Sequence, residues 1–302
     1  MNTKRYNIIT NYYRENFNEK VYKIALDIGA TCPNRDGSLG HGGCIFCSPS
    51  GSGDFATLNL QIEKAIKLLK DKATNKLIAY FQSFSNTYMS VERLDSYVQK
   101  VIAYPNICGI SISTRPDTIS NEMLDYLEKL NQKTHLVVEL GLQTCQNDIL
   151  KAINRGHNVE CFIKTFDSLK LRGIKVCVHI MNGLPNQNVC DMLNNIRLLN
   201  TLLPHSVKIH CTYVPKGTIL EKMYNEGKYL PLEMNEYLDI LVEQIRLLDK
   251  RIYVERITGD GRREELVAPR WTLNKRYFLN CFDKKLIERD AYQGDLLENI
   301  KD

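Results

Sequence analysis

Short β-rich apolar runs alternating with helical apolar spacing predict an α/β fold, a partial (β/α)6 barrel with a C-terminal extension. Three observations carry this. The strand-then-helix alternation repeats about six times along the chain. The strand-like runs are nearly continuous in apolar residues, as in a parallel sheet covered on both faces. No Pro-, Ser- or Gly-rich linker divides the 302 residues. A doubly wound open sheet is the rival arrangement of the same pieces.

Taken in order, the strand-like runs are 22–28, 76–81, 108–113, 136–140, 175–181, 207–213 and 251–256. Between them, Leu60, Ile62, Ala65, Ile66 and Leu69 have helical spacing. So do Val91, Leu94, Val98 and Ile102, then Met123, Leu124, Leu127 and Leu130. Segments 161–171, 192–203 and 237–248 continue the pattern. The division expected is a barrel over residues 1–250, including an N-terminal segment, with 251–302 packed on it as the extension. In either α/β architecture ligands gather at the C-terminal ends of strands, so residues just after each strand are the first to read for function.

With 43% apolar and 25% charged residues, disordered and collagen-like classes are excluded. No apolar run is long enough to span a bilayer and no signal-like segment opens the chain, so a cytoplasmic protein without membrane attachment is expected. The net charge of +5 permits contact with a polyanion without demanding it. Ten cysteines in a chain of this length and expected compartment point to reduced thiols and metal ligation rather than disulfides.

Three of those cysteines, Cys32, Cys44 and Cys47, share one loop after the first strand. Pro33, Gly37, Gly40, Gly42 and Gly43 let that loop turn tightly around something compact, and a metal centre is the simplest occupant. Zinc would take Cys32, His41, Cys44 and Cys47 as a tetrahedral set. A 4Fe-4S cluster held by three thiolates would leave one iron open, which suits the ligand end of a barrel better than a closed zinc does.

The spacing Cys32-x11-Cys44-x2-Cys47, with Phe46 in the last gap, resembles the cluster motif of radical S-adenosylmethionine (SAM) enzymes. Its wide first gap is similar to that of the Elongator catalytic subunit and of YhcC/YtqA-type radical SAM proteins. Segments 80–88, 113–117, 139–143 and 154–157 resemble the YhcC/YtqA-type family in order and spacing. So do 183–185, 214–218, 256–260 and 271–275, and the likeness extends from about Tyr6 to Asp290.

The resemblance implies a partial radical SAM barrel, with Cys32, Cys44 and Cys47 ligating the cluster and SAM chelating its open iron. It places Gln82 and Ser83 near the SAM ammonium, Gln143 at the ribose, and Arg155 on the SAM carboxylate, which its planar fork can bind in bidentate fashion. Ser113, where some relatives carry Glu, and His179 fall where they can touch the adenosyl group, and the Val214 backbone can line the adenine. Core roles compete for His179 and Val214. Glu139, a carboxylate within an apolar strand, needs a buried partner or an inward-facing ligand role. The other seven cysteines form no second Cys-x-x-Cys pair, so buried thiols are expected there.

Arg115, Lys216, Arg262, Arg263, Arg270, Lys275 and Arg276, interleaved with Trp271, Tyr277 and Phe278, suit a single-stranded RNA loop, although a solvated C-terminal face with core aromatics is the plainer reading. The families resembled are associated with the C5 side chain of wobble uridine in tRNA. The chain shows no acetyltransferase segment, so the expected reaction is conversion of carboxymethylaminomethyl to aminomethyl, with an electron donor such as flavodoxin or ferredoxin. Two alternatives stay open: radical SAM chemistry on a small molecule, and a non-catalytic, zinc-stabilised RNA-binding module. No substrate-side acid or base stands out.

Overall fold

The computed structural model describes residues 4–48, 62–64, 76–259 and 261–298. Seven parallel strands form one sheet: β1 (Val21–Leu26), β2 (Lys76–Phe81), β3 (Ile107–Thr114), β4 (His135–Gln143), β5 (Lys175–Asn182), β6 (Ser206–Cys211) and β8 (Tyr253–Arg256). They lie side by side in chain order, skipping β7 (Val214–Pro215). The sheet curls until its edges approach, since Lys23 on β1 pairs with Glu255 on β8 at 2.6 Å. This is the partial barrel expected, but its seventh strand lies beyond residue 250, in the segment read from sequence as the extension.

Helices α2 (Val91–Ile102), α3 (Asn121–Lys133), α5 (Val159–Leu171), α6 (Val189–Leu202) and α8 (Met234–Leu247) cover the outside. Short α4 (Asn147–Ala152) and α7 (Ile219–Asn225) follow β4 and β7. Ser90, Ser120 and Asn158 each cap a helix by accepting from the backbone N–H three residues on. The last three outer helices begin two or three residues before their predicted starts, at Val159, Val189 and Met234. The helical spacing through Leu60, Ala65, Ile66 and Leu69 lies outside the described residues.

The two faces of the strands differ sharply. Outward residues such as Leu77, Ile110, Ile112, Val138, Leu140, Val178 and Ile209 are buried against the helices. Inward ones include Lys23, Ser111, Glu139, His179 and Lys208. The N-terminal helix α1 (Ile9–Phe17) closes the lower end of the barrel, where Tyr12 packs edge-on against His205 and Tyr253 with ring centroids 4.6 and 5.3 Å apart.

The C-terminal region adds β9 (Leu266–Ala268), antiparallel to β7, then α9 (Lys275–Glu288) and α10 (Asp295–Glu298). Trp271 stacks on Phe278 at 5.2 Å and both rings meet Tyr237 of α8. The Trp271 indole N–H donates to Leu232 O. Two of the three interleaved aromatics are therefore core anchors, and only Tyr277 stands exposed.

Candidate active site

The loop after β1 is stitched to the segment after β4. Ile45 N donates to Ile153 O, Asn154 Nδ2 to Gly43 O, and Asn34 Nδ2 to Asn154 O. Gly42 and Gly43 have φ of +79° and +82°, a conformation costly for other residues. This backbone brings Cys32, Cys44 and Cys47 to one cavity of about 260 Å³ at the C-terminal ends of the strands.

Phe46, Ser113, Glu139, Gln143, Arg155 and His179 line the same cavity. Gln82, Ser83 and Val214 are not among its lining residues. Ser83 is buried in a turn whose carbonyl accepts from Asn86 Nδ2, and Val214 packs in an apolar cluster with Ile45, Leu184 and Ala268. Sequence reading missed Ser85, Arg115 and Tyr213 as walls of the cavity. The run of polar residues from Gln82 to Asn86 was the available signal for Ser85.

Two guanidinia face the thiols. Arg155 Nη1 lies 3.7 Å from Cys44 Sγ and Arg115 Nη1 lies 3.7 Å from Cys32 Sγ. A hydrogen bond from Cys47, then the charges of Arg155 and Arg115, hold the Cys44 thiol down at about 5 despite its burial. The same bond and burial push the Cys47 thiol up.

Below the thiols lies a buried ionic layer. Glu139 accepts from Lys23 Nζ at 2.8 Å, Ser111 Oγ at 2.6 Å and the His179 ring at 2.7 Å, and pairs with Lys208. Burial alone would raise the Glu139 carboxyl, but Lys208 and Lys23 hold it well below its usual range. Glu255 pairs with Lys23 and accepts from Ser206, so two carboxylates balance two ammonium groups. Glu139 thus has the buried partners its position demanded, and it still reaches the cavity wall.

The donor set fits an iron–sulfur cluster better than zinc. Thiolates on one tetrahedral zinc lie about 3.8 Å apart. Among the described residues, only Glu139, Cys177 and His179 bring three ligand atoms within 4.8 Å of one another, and the Glu139 oxygens there are already taken by cations and a hydroxyl. Cys32, Cys44 and Cys47 do not all come within that distance of one another, and three thiolates with no fourth ligand from the loop suit a cluster that keeps one iron open. His41 is not part of the cavity wall; its ring stands beside Gly37 in the outer part of the loop. Ser85 Oγ, buried on the cavity wall, has no protein hydrogen-bond partner, as expected of a site that takes a polar ligand.

Residues 28–199 match the Radical SAM superfamily, and residues 204–288 match the Radical_SAM C-terminal domain. The chain belongs to the radical SAM superfamily. It is 40% identical to protein YtqA of Bacillus subtilis over 99% of this chain and 95% of that protein. A shorter match, 33% identical, joins 50% of this radical SAM chain to 28% of the tRNA uridine(34) acetyltransferase of Methanocaldococcus infernus. The structure of the archaeal Methanocaldococcus infernus Elp3 with an N-terminal deletion shares the fold: TM-score 0.71, 21% identity, covering 90% of this chain and 64% of that one. The chain is a radical SAM superfamily enzyme whose cofactors are a 4Fe-4S cluster and SAM. No helix among the described residues is long and apolar enough to cross a membrane.

Proposed function

We propose that this enzyme reductively cleaves SAM and modifies the C5 side chain of wobble uridine in tRNA, converting carboxymethylaminomethyl to aminomethyl. The observation that carries the catalytic half is the single cavity that gathers Cys32, Cys44, Cys47, Gln143 and Arg155 at the strand ends. When bound, the cluster supplies one electron that breaks a sulfonium C–S bond of SAM and yields a 5′-deoxyadenosyl radical.

The chain's residues do the rest. Cys32, Cys44 and Cys47 hold the cluster, and buried Phe81 and Ile112 behind the strands keep water from the wall. Arg155 is fixed by donating Nη2 to Gly141 O at 3.0 Å and Nε to His157 Nε2 at 2.9 Å. It carries no carboxylate partner among the described residues, which suits the SAM carboxylate. Gln143, Ser113 and His179 border the space left for the ribose and adenine, with Gln82, Ser83 and the Val214 backbone in supporting turns.

The substrate half is supported by the tRNA-acting relative and by the surface beside the cavity. A Cβ on Gly261 would stand 3.1 Å from the ring of Tyr213, a cavity wall residue. Arg263 and exposed Arg270 border a groove a few residues further on, with Arg276 and Tyr277 beyond it. A low-potential carrier such as flavodoxin or ferredoxin would deliver the electron.

The test is anaerobic reconstitution with iron and sulfide, dithionite reduction, and assay of 5′-deoxyadenosine with and without tRNA bearing different wobble side chains. Cluster-dependent 5′-deoxyadenosine, with the uridine side chain altered only in tRNA, is expected. A tRNA that binds and reacts no better than an unrelated RNA would remove the substrate half and leave a small molecule as the substrate.

A further inference from the structure

Arg115 lines the cavity without a task in the scheme above. It follows β3 and is 3% exposed, so its charge must be answered by neighbours. Its Nε and Nη2 donate to Asp117 Oδ1 and Oδ2 at 2.9 and 2.7 Å, a bidentate pair. Its remaining nitrogen, Nη1, is the one 3.7 Å from Cys32 Sγ. A Cβ on Gly156 would crowd Arg115 Nη2 at 3.0 Å, so the bare glycine backbone with φ of +78° makes room for the fork.

Arg155 supplies the contrast. It too presents Nη1 to a thiol, Cys44, but its Nε rests on a histidine that burial and Arg155 itself keep neutral. Arg155 therefore has charge to offer an incoming carboxylate. Arg115 has its charge balanced by Asp117, and its fixed fork leaves it facing a sulfur. Asp117 also borders an open groove with His157 and Lys151 on the far side of the wall. The guanidinium thus bridges the outer groove and the cluster loop.

We infer that Arg115, clamped by Asp117, is a positioning residue that fixes the Cys32 thiolate and sets the reduction potential of the cluster held there. Hydrogen bonds and net charge at the ligating sulfurs govern such potentials, and a positive donor favours the state with the added electron. The inference needs the three-thiolate cluster and is independent of the substrate.

The experiment compares wild type with Arg115→Met, Arg115→Lys and Asp117→Asn, each reconstituted anaerobically. The midpoint potential is read by redox titration followed by electron paramagnetic resonance, with iron and sulfide counted. Arg115→Met is expected to shift the midpoint negative and Asp117→Asn to shift it positive, because one loses the cation and the other its counter-charge. Arg115→Lys, which keeps the charge but lacks the fork, is expected between Met and wild type. Shifts of the same sign, or none in fully loaded protein, overturn the inference. If Arg115→Met fails to load iron, Asp117→Asn decides: a positive shift upholds the inference and an unmoved or negative midpoint overturns it.

Discussion

Lys23 and Glu139, separated by 116 positions, meet at 2.8 Å inside the barrel and tie the first strand to the fourth. The contact spans the lumen rather than neighbouring strands, because β1 and β4 are separated in the sheet by β2 and β3. It exists only when the sheet is curled. Glu139→Gln strips the carboxylate from two ammonium groups that share it, Lys23 and Lys208. Breaking a buried pair this way costs about 3–5 kcal/mol. The expected result is a lower denaturant midpoint in cluster-free protein, with Glu139→Asp intermediate.

Acid should weaken the wall around Arg155. His157 accepts from Arg155 Nε and is held down at about 3 by burial and by the Arg155 charge. An unfolded chain protonates this histidine near its ordinary value of about 6.5. Stability from the neutral ring is therefore complete above that value and is lost as pH falls from there toward 3. Denaturation of cluster-free wild type across pH 4–7 should show a decline that His157→Gln flattens; identical profiles would remove His157 as its source.

Metal content separates the two loop chemistries. Alanine at Cys32, Cys44 or Cys47 is expected to abolish stable iron and sulfide binding after reconstitution. His41→Ala is expected to retain both in full, since His41 lies outside the cavity wall. A protein that instead holds one zinc, and loses it with His41→Ala, would restore the tetrahedral site.

Gly141→Ala probes the proposed SAM wall without replacing either proposed ligand. The new Cβ would lie 2.5 Å from Arg155 Nη2 and 2.8 Å from Gln143 Nε2, displacing both side chains from their present positions. SAM affinity, measured by calorimetry on the oxidised cluster form, is expected to fall about tenfold, or about 1.4 kcal/mol. Iron content should be unchanged.

Replacing Arg263, Arg270 and Arg276 together with Glu should weaken tRNA binding and flatten its salt dependence, by about 0.9 in logarithmic slope for each phosphate left without its cation. Formation of 5′-deoxyadenosine without RNA should stay at the wild-type level. An unaltered slope would move the RNA track elsewhere on the surface.

The strand-and-helix alternation and the grouping of three cysteines at one cavity were legible because they depend on local spacing. Periodicity shows which residues share a face, and the loop thiols lie within one short segment. Arg115 was legible only as a charge, since its meaning depends on Cys32, 83 positions away. Glu139 announced a buried partner, but Lys208 and Lys23 come from strands that only the curl brings together. Trp271 and Phe278 misled for the opposite reason: aromatics interleaved with cations look alike whether they stack on bases or on α8.

The strands of this barrel turn their oil outward and their salt inward. Tolerance to substitution should therefore alternate along each strand from β3 to β6, one residue answering to the helices and the next to whatever occupies the lumen. Such a wall can be re-lined from within while its outer seal stays as it was. Such re-lining stops at Lys23, Glu139, Lys208 and Glu255, whose buried ion pairs join strands across the lumen and so bind the curl of the sheet to the same face that meets the ligand.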